Sequence, residues 1–312
     1  MVAEANGLNV SKNKIFGRWS FLGAFSACAL LALSFLGGCA SFYPPVTEEQ
    51  FNAQFSSGRP PVSTTVQIDG RAIHYVDTNE EAKPLVVFIH GAPGAWDAFS
   101  EFLKDPDLVK VARLVSVDRP GYGRSELGTP ERSLAVQAQL ISHVFKHNQP
   151  GGGAILVGHS FGGPVAAQLA VDFPQQVAGL VLVAASVDPA LEKTKWYQIP
   201  AHWKLFSWAV PRDLYSTNEE ILPLAKELKM LEPRWIEIEV PVVVLQGGRD
   251  TLVPKENADF LARMLDPEIV SIRKYPKLNH FIPWSNPQLI RDAILELLSS
   301  RENASRVRTH DE

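Results

Sequence analysis

Cysteine and histidine are scarce in this sequence, which contains two cysteines and eight histidines among 312 residues. None of them form a cluster with metal-site spacing, and no glycine-rich phosphate loop of the G-x-x-x-x-G-K-[ST] type is present. The formal net charge is only −4, which argues against nucleic acid as the main partner. These absences leave a globular enzyme or binding protein for which no metal site is predicted.

The first forty residues differ in kind from the rest of the chain. Three basic residues among positions 12–18 precede an uncharged apolar run over residues 21–36. The run ends in Leu36-Gly37-Gly38-Cys39-Ala40-Ser41, which resembles a bacterial lipobox. The resemblance implies that residues 1–38 are a lipoprotein signal peptide and that Cys39 carries lipid after cleavage. An uncleaved N-terminal membrane anchor is the alternative.

The lipobox interpretation has consequences for the two cysteines and for the location of the protein. Cys28 is the poorer candidate for lipidation, because cleavage there leaves an apolar stretch at the new N-terminus. The mature chain then keeps one cysteine, so no disulfide forms within it. The expected location is the bacterial cell envelope. Because Ala40 rather than aspartate follows Cys39, similarity to Gram-negative lipoproteins indicates the outer membrane, facing the periplasm.

An α/β architecture is predicted from residue 62 onward, after a polar, proline-bearing linker over residues 39–61. Val62–Ile68 and Ala72–Asp77 flank Asp69-Gly70, the pattern of a hairpin. Apolar runs typical of buried parallel strands and one half-polar edge run follow: Leu85–His90, Arg113–Asp118, Ala154–His159, Leu180–Ala184, Val242–Gln246 and Ile269–Tyr275.

Helical patterns alternate with these strands, which predicts a mostly parallel sheet with helices on both faces. The helical segments are Trp96–Leu103, Ser133–Phe145, Gly162–Phe173, Lys255–Leu265 and Pro287–Leu298. The predicted core therefore has two halves, residues 62–187 and residues 240–303, and residues 304–312 form a polar tail.

Residues 188–239 interrupt this alternation with proline-punctuated helical pieces, and they hold four of the seven tryptophans. An aromatic insertion between two core strands indicates a helical lid. Trp196, Trp203 and Trp208 are predicted to line a substrate pocket beneath it. The alternative is that the rings pack on each other and hold the lid together.

A nucleophilic serine is predicted at Gly158-His159-Ser160-Phe161-Gly162. The segment follows a buried strand and leads into a helix, as the G-x-S-x-G nucleophile elbow requires. The tight turn strains the serine backbone and leaves no room for bulk two residues away, which Gly158 and Gly162 satisfy.

The remaining members of a catalytic triad are assigned from chain order and position. A serine hydroxyl needs a base, and the base needs an orienting acid. Asp250 follows the strand run Val242–Gln246, and His280 follows the last strand. Both then lie at the same sheet edge as Ser160. The backbone N–H groups of Ala92 and Phe161 are the predicted oxyanion-hole donors.

Together with the segments His90–Gly94 and Asp118–Ser125, these motifs resemble the lid-bearing α/β-hydrolase family over residues 62–300. The resemblance implies an α/β-hydrolase fold, in which an eight-stranded sheet has one antiparallel strand and a small helical lid. It also implies that the protein uses no cofactor and reacts through a covalent acyl-enzyme.

A serine hydrolase acting on a small, apolar carboxylic ester is the expected function. Dehalogenases and epoxide hydrolases of this family have aspartate at the position of Ser160, so the serine disfavours those two reactions. The His90–Gly94 loop resembles proline iminopeptidases, although the elbow and the turn after Asp118 differ from theirs. Amide cleavage, carbon–carbon bond hydrolysis and cofactor-free perhydrolysis stay open on the same triad, as does a catalytically inactive binding lipoprotein. Oligomeric state is not predicted.

Overall fold

Short runs of branched apolar residues form the centre of an eight-stranded sheet. The computed structural model describes residues 41–55, 59–149, 152–193, 198–199 and 210–308, and Ser41 onward is one compact unit. The strands are β1 Val62–Ile68, β2 Arg71–Asp77, β3 Leu85–Ile89, β4 Arg113–Val117, β5 Ala154–His159, β6 Val177–Val183, β7 Val242–Gly247 and β8 Val270–Tyr275.

The strand order is β1-β2-β4-β3-β5-β6-β7-β8. Strand β2 runs antiparallel to both of its neighbours, and every other pairing from β4 to β8 is parallel. The β1–β2 turn has positive φ at Asp69 (50°) and Gly70 (79°), as the two central residues of a tight hairpin turn require. The predicted sheet, with one antiparallel strand, is confirmed.

Helices cover both faces of the sheet. The α-helices are α1 Glu48–Gln54, α2 Ser100–Leu103, α3 Pro106–Val111, α4 Leu134–Ile141, α5 Gly162–Asp172, α6 Arg212–Leu231, α7 Asn257–Met264, α8 Ile282–Ser285 and α9 Pro287–Arg308. Alternate residues of each central strand point to opposite faces, so two separate apolar cores form. Helices α4, α5, α6 and α7 pack into one core, and α2, α3 and α9 into the other.

The predicted linker is wrong for its described part, because that segment contains helix α1. Thr47 caps the helix and forms a reciprocal capping box with Gln50. Phe51 and Phe55, four residues apart, pack their rings against each other and against Trp96. This apolar contact ties residues 46–55 to the core, so the segment is part of the domain.

The segment predicted as a lid is more continuous and more firmly attached than expected. Helix α6 runs through Pro223 rather than breaking there. Its residues Leu224 and Leu228 are buried in the core, as is Trp235 in the short 3₁₀ helix that follows. Trp235 packs edge-on against Phe260, with ring centroids 6.2 Å apart, so it is a core residue. Within the described ranges no helix is long and apolar enough to span a membrane.

Candidate active site

Ser160 occupies the sharp turn between β5 and α5 and has a φ of 54°, in the left-handed region. Its own N–H donates to the carbonyl of Val183, and its carbonyl accepts from Gly163. A Cβ on Gly162 would lie 2.1 Å from the carbonyl oxygen of Ile89, and one on Gly158 would lie 2.5 Å from that of Gly162. The turn therefore closes only with glycine at both positions.

Asp250 and His280 form a hydrogen bond in which the histidine is the donor. Nδ1 of His280 lies 2.8 Å from Oδ2 of Asp250, and the carboxylate side chain is fully buried. A carboxylate accepts and does not donate, so Nδ1 carries the proton and Nε2 is left with a free lone pair. The second carboxylate oxygen accepts the backbone N–H groups of Leu252 and Val253 at 2.9 and 2.8 Å.

The surroundings of Asp250 keep it ionised. Burial alone would raise the pKa of Asp250. Hydrogen bonds from His280 and from the N–H groups of Val253 and Leu252 outweigh burial and hold the pKa below its ordinary value of 3.8. The anion thus persists at neutral pH, where it orients the imidazole and stabilises its protonated form.

The loops that carry the two residues dock against each other. The N–H of Arg249 donates to the carbonyl of Leu278 at 2.8 Å. A Cβ on Gly247 would lie 2.6 Å from the carbonyl oxygens of Leu278 and Asn279. Close backbone packing at Gly247 therefore sets the separation between the loop after β7 and the loop after β8.

The loop predicted to supply an oxyanion donor is braced from beneath by His90. Nδ1 of His90 donates to the carbonyl of Gly91 at 2.7 Å, and Nε2 accepts the N–H of Arg119 at 3.0 Å. Burial, followed by the nearby charge of Arg119, lowers the pKa of His90 well below 6.5, so the ring stays neutral. Ala92 follows this braced backbone, and Phe161 begins the turn into α5.

Sequence reasoning assigned no role to Asp118 and Arg119, although their motif was noted. The Asp118 carboxylate accepts the N–H groups of Trp96 and Arg124 and contacts Nδ1 of His74 at 2.7–2.8 Å. Arg119 donates to the carbonyls of His90 and Gly91. Both residues are fully buried. The sequence signal that could have identified their structural role is a charged pair inside a glycine-rich turn.

Two cavities meet at the predicted nucleophile. One has a volume of about 430 Å³ and is lined by Tyr43, Phe281 and Trp284 among others. The other has a volume of about 580 Å³ and lies beneath α6. We call them the first and second cavity. Four residues line both: Ala92, Ser160, Leu252 and His280. The structure thus brings the predicted nucleophile, base and oxyanion-loop residue to one junction, with Asp250 behind the base and Phe161 in the wall of the second cavity.

The structure does not describe every residue to which the sequence assigns a role. Trp196, Trp203, Trp208 and Cys39 fall outside the described residues. Two other acidic and basic side chains that could be considered for the triad have different partners: Asp259 pairs with Lys274 at the surface, and Nε2 of His147 contacts the Tyr75 hydroxyl at 3.2 Å. No group of residues in the described part of the chain has the composition and proximity to hold a metal ion.

Comparison with known proteins identifies the family to which the chain belongs. The model of the alpha/beta hydrolase family matches residues 86–293. Pimeloyl-[acyl-carrier protein] methyl ester esterase of Yersinia enterocolitica is 32% identical over 213 residues, covering 64% of this chain and 76% of that protein. Epoxide hydrolase 1 of Caenorhabditis elegans is 31% identical over 169 residues, 51% of this chain, and this chain spans only 39% of its length.

Solved structures share the fold at low sequence identity. A bacterial membrane phospholipase A superimposes with a TM-score of 0.62 at 18% identity, covering 91% of this chain and 99% of that one. E-2-(acetamidomethylene)succinate hydrolase gives a TM-score of 0.58, also at 18% identity, covering 77% of this chain and 99% of that one. Because the family model spans most of the chain and the sheet has the expected topology, this protein belongs to the alpha/beta hydrolase family.

Proposed function

We propose that this hydrolase cleaves a small, apolar carboxylic ester through an acyl-enzyme on Ser160. One observation carries the proposal. The hydrogen bond from Nδ1 of His280 to Asp250 fixes the imidazole at the junction where Ser160 lies between two cavities. That arrangement supplies a nucleophile, a base with an available Nε2, and space on two sides for an acyl group and an alcohol.

The reaction follows from these groups in two halves. Nε2 of His280 takes the hydroxyl proton as Oγ of Ser160 bonds to the ester carbonyl carbon, and the N–H groups of Ala92 and Phe161 stabilise the oxyanion. The C–O bond to the alcohol breaks, and the alcohol leaves with the proton from His280. Water then loses a proton to Nε2 of His280 and attacks the acyl carbon. The bond between the acyl carbon and Oγ of Ser160 breaks, His280 returns the proton to Oγ, and the acid leaves.

The ester assignment rests on the cavities and on similarity. The aromatic side chains Phe281 and Trp284 in the first cavity, and Leu214, Ile221 and Leu224 in the second, favour apolar groups on both sides of Ser160. The similarity to a methyl ester esterase over 64% of the chain supports an ester rather than an amide. Carbon–carbon bond hydrolysis and perhydrolysis use the same three residues and are distinguished by substrate.

The test is a substrate panel measured on wild type and on Ser160→Ala. Wild type should hydrolyse p-nitrophenyl esters faster than aminoacyl amides. Ser160→Ala should lose about 10⁴-fold or more in kcat, because triad members act as a unit. Ser285→Ala, which changes an exposed serine on α8, should keep wild-type activity. A fluorophosphonate that still labels Ser160→Ala at the wild-type rate would show that the nucleophile is another residue.

A further inference from the structure

A patch of exposed apolar side chains surrounds the mouth of the first cavity. Tyr43, Leu252, Phe281 and Trp284 all line this cavity, and each is between 50 and 60% exposed. Phe42, next in sequence to Tyr43, is 64% exposed. We call these five residues the apolar rim. Single exposed apolar residues are ordinary, but several gathered at one opening mark a binding surface.

The apolar rim is held in place by the catalytic loops and by α6. The N–H of Leu252 donates to Asp250, and Phe281 directly follows His280. Phe281 and Trp284 contact each other, with ring centroids 5.9 Å apart. The N–H of Tyr43 donates to Oδ2 of Asp213 at the start of α6, at 2.7 Å. The exposed side chains are thus presented by a fixed backbone next to the proposed reacting groups.

The position of the apolar rim in the chain favours a lipid surface as its occupant. Tyr43 follows the predicted lipidation site, Cys39, by only four residues, and four extended residues span about 14 Å. A lipid on Cys39 would therefore keep the membrane within reach of the rim in any conformation of that short tether. Tyrosine and tryptophan, two of the rim residues, are the side chains that favour membrane interfaces.

Charges on the same loops fit this occupant. Arg249 lies on the loop of Leu252, Lys277 lies on the loop of Phe281, and both are exposed. Cations beside an apolar surface are attracted to anionic headgroups while the apolar side chains enter the boundary of the acyl chains.

We propose that the apolar rim inserts into a lipid surface, so that the first cavity receives an ester substrate directly from the bilayer. This inference rests on the proposed ester hydrolysis and on the proposed lipidation of Cys39. It extends the substrate from a small ester to an ester whose acyl chain is held in a membrane. A substrate that leaves the bilayer through this rim reaches Ser160 without crossing water, which removes the cost of exposing its chain.

The first test is direct contact with lipid. The full chain is bound to vesicles of phosphatidylethanolamine and phosphatidylglycerol whose acyl chains carry bromine, which quenches nearby tryptophan fluorescence. Trp284→Phe should lose a quenched component that wild type shows, because Trp284 enters the acyl region. Equal quenching in wild type and Trp284→Phe would place Trp284 away from the bilayer and overturn the proposal.

The second test compares p-nitrophenyl palmitate carried in the vesicles with p-nitrophenyl butyrate in solution. The variant Phe42→Ser changes a rim residue that lines neither cavity, and it should lower the ratio of palmitate to butyrate rates about tenfold, since an apolar side chain leaves the lipid. The control double variant Met230→Ser/Ile236→Ser changes residues that are 53% and 82% exposed but line neither cavity, and it should keep the ratio. An equal ratio in wild type and both variants would overturn the proposal.

Different results would contradict the ester-hydrolysis proposal and the lipid-surface proposal. If ester hydrolysis is wrong, wild type cleaves neither ester, and the bromine quenching still reports whether the apolar rim meets lipid. If only the lipid inference is wrong, both esters are cleaved in a ratio that does not depend on the rim. A protein that hydrolyses butyrate is folded, so neither result reduces to misfolding.

Discussion

A second histidine beside the proposed base distinguishes this site at the scale of single residues. His159 is buried, and its ring centroid lies 4.7 Å from that of His280. Its Nε2 donates to the carbonyl of His280 at 3.1 Å, and Trp284 packs edge-on against it. Burial, followed by the proximity of His280, lowers the pKa of His159 from 6.5 to about 3. A neutral His159 would not repel the imidazolium that forms on His280 in the proposed reaction.

The low pKa of His159 makes the fold sensitive to acid. In the unfolded chain this histidine takes a proton near pH 6.5, whereas in the native state it does so only near pH 3. Between these values the unfolded state binds more protons, so the free energy of unfolding falls as the pH drops from about 6.5 toward 3. One such group contributes about 1.4 kcal/mol per pH unit across that window and nothing to the slope above it.

His159→Gln should therefore lose stability less steeply in acid than wild type. Glutamine keeps an N–H donor for the carbonyl of His280 but has no proton to gain. Urea unfolding at several values between pH 7.5 and pH 4.5 measures the two slopes, and they should differ by about 1.4 kcal/mol per pH unit below pH 6. Parallel curves for the two proteins would mean that His159 is not kept neutral by the fold.

At the scale of elements, a buried ion pair joins helix α6 to the loop that holds Ala92. Nη1 of Arg119 contacts both carboxylate oxygens of Glu220, at 2.9 and 3.1 Å, and both side chains are fully buried. The Tyr122 hydroxyl and the Gln137 amide also donate to Glu220. Because Arg119 also donates to the carbonyls of His90 and Gly91, α6 and this loop are coupled through one guanidinium.

Removing the anion of this pair should destabilise the protein and weaken catalysis together. Glu220→Gln leaves the Arg119 charge buried without its counter-charge, which costs about 3–5 kcal/mol. Glu237→Gln breaks a half-exposed pair with Arg234 and should cost less than about 1 kcal/mol.

Chemical unfolding gives the two stability changes, and kcat for a soluble ester gives the catalytic change. We expect kcat to fall in Glu220→Gln and to stay at the wild-type value in Glu237→Gln, because only the first loosens the backbone before Ala92. Equal, small stability losses in both variants would mean that the buried pair does not brace this loop.

At the scale of the whole molecule, the sheet could be predicted because its signal is local. The central strands β3, β4 and β7 are short, mostly apolar runs buried on both faces, so their positions are visible in five or six consecutive residues. The sharp turn at Ser160 could be predicted for the same reason, since the elbow glycines lie two positions away from it. The proximity of Asp250 to His280 could be predicted from the ends of their strands, and the catalytic roles of the three residues stay predictions.

The features missed by prediction depend on contacts between distant parts of the chain or on short amphipathic segments. Arg119 and Glu220 are separated by 101 positions, and the sequence around neither residue indicates that the other is its partner. Helix α1 spans seven residues, too few for a clear apolar period, although the Thr47–Gln50 capping box was a readable signal. Helix α6 continues through Pro223 because its buried face holds it to the core, against the local preference of proline.

Attachment to the cell envelope is also a property of the whole molecule, and we propose that it depends on Cys39. The basic stretch, the apolar run over residues 21–36 and the Leu36–Cys39 box together favour lipidation followed by removal of residues 1–38.

Cys39→Ser should then incorporate no labelled palmitate and should remain larger than wild type, because the signal peptide stays attached. Cys28→Ser is the matched control and should be lipidated and processed normally. Membrane fractionation with palmitate labelling makes the comparison. If Cys39→Ser were processed and labelled like wild type, residues 1–38 would have to be a different kind of signal, and the tether that brings the apolar rim to the bilayer would lie elsewhere.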